Sequence, residues 1–121
     1  MGIKKSAGLW LALFFLLTLT GCNRLKSVDE RTDLALSRAE QAGFETHQFD
    51  FQGFSIRSFS RLTKPDLPLH VHVEGDGRAY IAPWRISANP TPIHPVSLDL
   101  ALSDDSANVI YLARPCQFLT I

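Results

Sequence analysis

Hydrophobic and polar positions change period several times along the chain, and each change marks an element. Residues 7–19 form an apolar run broken only by Gly8 and Thr18. Ser27-Val28-Asp29-Glu30 then has the form of a capping box, and an Ala- and Leu-rich segment follows with acidic residues in its first turn. Gly43 is a natural stop, so the pattern predicts a helix over residues 28–42. Between residues 44 and 62 the period becomes two. Phe49 and Phe51 alternate with polar residues, and Phe54, Ile56 and Ser58 oppose Ser55, Arg57 and Phe59. With Gln52-Gly53 in the middle, this predicts a β-hairpin. Pro65 and Pro68 mark a loop, residues 69–73 read as a strand, and residues 75–77 end it. A stretch holding Pro83, Pro90, Pro92 and Pro95 is read as irregular. Residues 96–102 then form a short helix with Pro95 at its first position, and residues 109–113 a nearly continuous apolar strand. Strand, helix and strand together imply a βαβ unit with buried parallel strands, hence an α/β fold.

The first apolar run follows a basic head, Lys4 and Lys5, and precedes Leu19-Thr20-Gly21-Cys22. A charged head, an apolar stretch and small residues at a cleavage point make a secretory signal. The run is too short for a comfortable membrane span of ~20 residues. Leu-Thr-Gly-Cys resembles the lipobox of bacterial lipoproteins, whose cysteine takes a diacylglyceryl group and becomes the new N-terminus. The alternatives are an ordinary signal or an uncleaved anchor with a chance cysteine. A single acyl chain holds a membrane only marginally; a triacylated Cys22 meets the need for more. Asn23, in place of Asp, favours the outer membrane by similarity to enterobacterial sorting.

Removing 21 of the 121 residues leaves 100, one small domain. Lys4 and Lys5 leave with the signal, so ten cations face twelve anions and the formal charge is −2. That balance argues against a nucleic-acid partner. With Cys22 taken by lipid, Cys116 is the one remaining thiol in an oxidising compartment. It implies a missing partner, an intermolecular bridge or a buried inert thiol.

Candidate chemistry concentrates in LHVHVEGDG, residues 69–77. His70 and His72 share a strand face, but a zinc site needs a third or fourth protein ligand, and no spacing ties His47 or His94 to the pair. No metal and no cofactor are expected. Glu74-Gly75-Asp76-Gly77 stands at a strand's carboxyl end, where open α/β sheets bind ligands. Glycines there let backbone N–H groups face a developing oxyanion, or merely permit a tight turn. Gly53-Phe54-Ser55-Ile56-Arg57 begins like a nucleophile elbow but lacks the closing glycine and lies in an alternating strand, so Ser55 is not expected to be catalytic.

HVHVEGDGRAYI, NPTPIHPVSLDLAL and NVIYLARPCQF resemble the N-terminal part of bacterial α/β-hydrolase-like lipoproteins over residues 44–118. The resemblance implies a partial α/β-hydrolase-like sheet, a β-hairpin plus parallel strands, behind an N-terminal signal helix. It casts Asp76 as an oxyanion N–H donor, with Gly75 and Gly77 shaping the loop. In longer relatives Cys116 would pair with a cysteine further along. The catalytic Ser of that family lies in a later Gly-x-Ser-x-Gly turn, with its acid and His later still; the sequence ends before any of them. The expected organisation is a signal at 1–21, a lipidated cysteine, tether and helix at 22–43, and the partial hydrolase-like domain at 44–121. The expected function is a membrane-anchored, periplasm-facing lipoprotein of the bacterial envelope, truncated and inactive alone. The alternative is a small envelope lipoprotein acting as an interaction module. Its expected partners are the bilayer through Cys22, and either a second copy or a missing C-terminal half meeting exposed apolar surface.

Overall fold

A computed structural model describes residues 24–119. The expected signal helix and Cys22 lie outside the described residues. Helix α1, Val28–Gln41, begins with the expected capping box. The Ser27 hydroxyl accepts from the Glu30 N–H, and the Glu30 carboxylate accepts from the Ser27 N–H. Gly43, at φ +76°, turns the chain back toward the sheet. Strands β1, Glu45–Phe51, and β2, Phe54–Leu62, form the hairpin. Its two-residue turn has positive φ at both Gln52 and Gly53, the type I′ geometry that matches strand twist. Strand β3 is His70–Val73, helix α2 is Val96–Leu102, and strand β6 is Asn108–Leu112.

The main sheet has the order β1-β2-β6-β3. β1 and β6 run antiparallel to β2, and β3 runs parallel to β6. The described residues are thus an α/β arrangement of two helices and a mixed four-stranded sheet. Among them, no helix is long and apolar enough to cross a membrane. Two expectations need correction. The proline-rich stretch contains a small hairpin, β4 at Tyr80–Ala82 and β5 at Arg85–Ile86, turned at Pro83-Trp84. Pro95 is the N-cap of α2, not its first helical residue.

Register assigns the two faces. Phe59 opposes Tyr111 and His72 opposes Tyr111, so all three project to one side with Val109 and Arg61. Both helices cover that side. Ala35, Ala39, Leu98 and Ala101 pack on Phe59, Val109 and Tyr111. Alanines on α1 let the helix approach the sheet closely. The Phe59 and Tyr111 rings stack at 5.6 Å, and Phe118 meets Tyr111 edge-on at 6.3 Å. A charge would not ordinarily fit on this side, but Arg61 lies over the Phe44 ring and donates to the Ala42, Asp104 and Ser106 carbonyls. Arg57 likewise donates to the Phe118 carbonyl.

The opposite face has no helix among the described residues. It carries Phe49, Phe51, Phe54, Leu62, Val71 and Val73, all exposed, with Ile110 and Leu112 half-buried between them. Among the described residues the parallel pair is therefore covered on one side only, whereas the sequence pattern implied burial on both. Ile110 and Leu112 make β6 look like a doubly buried strand because it is central in the sheet. Its neighbours' side chains shield it, without a second layer.

Candidate functional site

β6 is the central strand beside β3, and the loop after β3 folds over its end. The Glu74 N–H donates to the Leu112 carbonyl at 2.9 Å and extends the parallel ladder by one residue. That step turns the Glu74 side chain inward, where it is buried. Tyr111 donates its hydroxyl to Glu74 Oε2 at 3.0 Å, and the Gly75 N–H donates to Glu74 Oε1 at 3.0 Å. Burial first, then the Glu74 carboxylate, pushes the Tyr111 hydroxyl well above the ordinary tyrosine range. This phenol therefore stays protonated and acts as a fixed donor.

The three residues read as an oxyanion-type loop lie together but are not equivalent. The Gly75 N–H is already engaged with Glu74. Among the described residues, the Asp76 and Gly77 N–H groups donate to no protein acceptor. Asp76 holds its carboxylate against the Arg114 guanidinium. Gly77 has φ +60°, and a Cβ built there would stand 2.1 Å from the Pro90 carbonyl oxygen. Buried Gln117 ties the loop down, donating to the Gly75 carbonyl at 3.0 Å and accepting from the Arg114 N–H at 3.0 Å. The loop borders an open hollow of about 500 Å³ shared with Arg78, Tyr80, His94 and Ser97. Unengaged amides at the carboxyl end of a strand can receive an anionic oxygen, and of these two residues Gly77 borders the hollow.

Among the described residues, Ser97 is the serine that borders this hollow. Ser97 donates its hydroxyl to the Val73 carbonyl at 2.9 Å. Ser55 lies on β2 and donates to the Asp50 carboxylate, far from any elbow geometry. Among the described residues, two Ser–His–carboxylate groupings lie elsewhere, and both fail as catalytic triads. His47 Nε2 lies 2.9 Å from Ser60 Oγ and 3.9 Å from Glu45 Oε2. His70 Nδ1 lies 2.9 Å from Ser106 Oγ and 2.8 Å from Asp104 Oδ2. In each, serine and carboxylate address the same ring nitrogen. A base must take the serine proton on one nitrogen while the acid holds the other.

His70 and His72 do share a face, and both meet Asp104, which sequence reasoning missed. His72 Nε2 donates to Asp104 Oδ2 at 3.0 Å, the same oxygen that His70 reaches. The nearby Ser106 hydroxyl, then His72, the Ser106 N–H and His70, hold the Asp104 carboxyl well below the usual aspartate range. The carboxylate fills the space between the imidazoles. Among the described residues, no group of three His, Cys, Asp or Glu side chains is set to hold a metal ion. Parallel strands begin at the same end, so the loop entering β6 falls beside the first residues of β3. Only that register, invisible in sequence, brings Asp104 to His70. Cys116, at φ +68°, carries an exposed thiol, so it is not the buried inert residue that was one alternative.

No protein-family profile, no curated protein and no solved structure matches this chain significantly.

Proposed function

We propose that this chain is a bacterial envelope lipoprotein, anchored through an acylated Cys22 and facing the periplasm, whose folded part is an α/β-hydrolase-like half-sheet without catalysis of its own. The observation that carries the hydrolase-like part is the loop after β3. It follows a strand paired in parallel with β6, leads through the β4–β5 hairpin to α2, and among the described residues leaves the Asp76 and Gly77 amides without a protein acceptor. In α/β hydrolases a loop that leaves the carboxyl end of a strand supplies an oxyanion N–H, and here the loop after β3 leaves the same end of its strand. The anchor rests on the Lys4-Lys5 head, the apolar run and the Leu19–Cys22 box. A second reading, an envelope interaction module, is favoured by the uncovered sheet face with its exposed Phe49, Phe51 and Phe54.

Two assays on one expression strain test the proposal. Growth with an alkyne palmitate analogue should label the wild-type chain and not Cys22→Ala. A fluorophosphonate probe and a short-chain ester should find no reactive serine in the purified protein. Equal palmitate label on Cys22→Ala removes the anchor. Stoichiometric phosphonylation of any serine, with ester turnover lost in the matching Ser→Ala variant, removes the non-catalytic reading.

A further inference from the structure

The uncovered sheet face is not uniform. Its aromatic side chains cluster at one end, around the turn of the β1–β2 hairpin. Phe51 opposes Phe54 across the turn, and Phe49 opposes Ile56 one pair further in. The three phenylalanines are 54–66% exposed, unusual for side chains of that size. On the other side of the tip the polar pair Asp50 and Ser55 bond to each other. The tip is thus amphipathic, with one aromatic and one polar face.

The end of the molecule at which this tip lies is decided by α1. At its C-terminal end the helix touches the far end of β2, through Arg61 Nη1 donating to the Ala42 carbonyl at 3.4 Å. Near its N-terminal end, Arg31 Nη1 donates to the Thr91 carbonyl, and Thr91 Oγ1 accepts from the Phe118 N–H at 2.8 Å. Phe118 in turn accepts from Arg57, and the Cys116 N–H donates to the Ser55 carbonyl beside the turn. The helix therefore runs back along β1. Fourteen residues at ~1.5 Å cover ~21 Å, and seven strand residues at ~3.4 Å cover ~24 Å. These contacts put the N-terminal end of α1 at the end of the sheet that carries the hairpin turn. Ser27 follows Cys22 by five residues, a reach of at most about 18 Å. Exposed Arg24 and Lys26 lie on that tether, suited to anionic headgroups.

We propose that the Phe49–Phe51–Phe54 tip is a second membrane contact, inserted tip-first into the lipid interface beside the Cys22 anchor. The inference rests on the lipoprotein reading for the position of the bilayer. Phe side chains on one face of an amphipathic element enter the boundary between headgroups and acyl chains favourably while the other face stays wet. The polar Asp50–Ser55 side stays toward water. A lipid surface accounts for the clustering at the end where the anchor attaches, which a partner on the whole sheet face would not require.

Bromine quenching of tryptophan tests it on the full chain recovered from cells. Trp10 and Trp84 are replaced by Phe, the latter an exposed side chain outside the core. Phe51→Trp is then placed in vesicles of phosphatidylglycerol and phosphatidylcholine with brominated acyl chains. Phe54→Trp and Leu62→Trp in the same background report the other side of the turn and the far end of β2. The proposal expects blue-shifted emission, at least halved by bromine, at positions 51 and 54, and water-like, unquenched emission at 62. Unquenched, water-like emission at 51 and 54 overturns it. Blue-shifted but unquenched emission means that protein, such as a second copy, covers the tip, and also overturns it. Equal quenching at 62 overturns the tip-first arrangement. The mass of the same samples reports Cys22 acylation, so the two readings fail separately. Quenching without acylation removes the anchor and keeps the insertion; acylation without quenching does the reverse.

Discussion

Gly75 and Gly77 stand two residues apart in one loop, yet a methyl group would meet different surroundings at each. At Gly77 it collides with the Pro90 carbonyl and Gln117 Nε2 and also strains a left-handed backbone. At Gly75 it enters open space at an ordinary φ. Gly77→Ala should lower stability by about 2–3 kcal/mol and Gly75→Ala by less than about 1, read from urea unfolding. Equal losses would mean that the loop does not hold this shape. Asp104 supplies a pH test. Its folded-state pKa is depressed, so its stabilising contribution is present above the unfolded-chain value and is lost as pH falls through the lower folded value. A carbon-13 titration should find the Asp104 carboxyl still ionised at pH ~3, below the ordinary aspartate value of ~3.9. A midpoint at or above that value contradicts the His70–Asp104–His72 clamp. At this scale the sequence showed the glycines and the histidine pair. It did not show Glu74 turned inward or Asp104 beside His70, because the two contacts join residues 37 and 34 positions apart.

Elements with strong local rules were legible, and those set by tertiary contact were not. Ser27 and Glu30 cap α1 through neighbouring backbone, so the helix could be read to within a residue. The Gln52-Gly53 turn was equally local, though Gln at φ 49° is a poor choice for a type I′ position. Gln52→Asn, a residue at ease in that conformation, should stabilise the hairpin by about 0.5–1 kcal/mol in thermal melting of the purified protein. A loss of stability would contradict the turn assignment. Which hairpin face is buried was not legible, because both carry phenylalanine. Phe59 and two arginines face the helices, while Phe49, Phe51 and Phe54 face away. The guanidiniums of Arg57 and Arg61 resolve this by reaching loop carbonyls, contacts with no sequence signature. The β4–β5 hairpin escaped notice because two- and three-residue strands leave no periodicity to detect.

For the whole molecule, the proposed Cys22 anchor and the proposed insertion of the hairpin tip would together hold the protein at a lipid surface. The anchor depends on Cys22 being the acylated N-terminus of the mature chain. Intact-mass spectrometry of protein extracted from membranes reads this directly. The account predicts a chain beginning at Cys22, heavier than its peptide mass by a diacylglyceryl group and an amide-linked acyl chain. A chain that begins at Met1, or one with an unmodified Cys22, would contradict it.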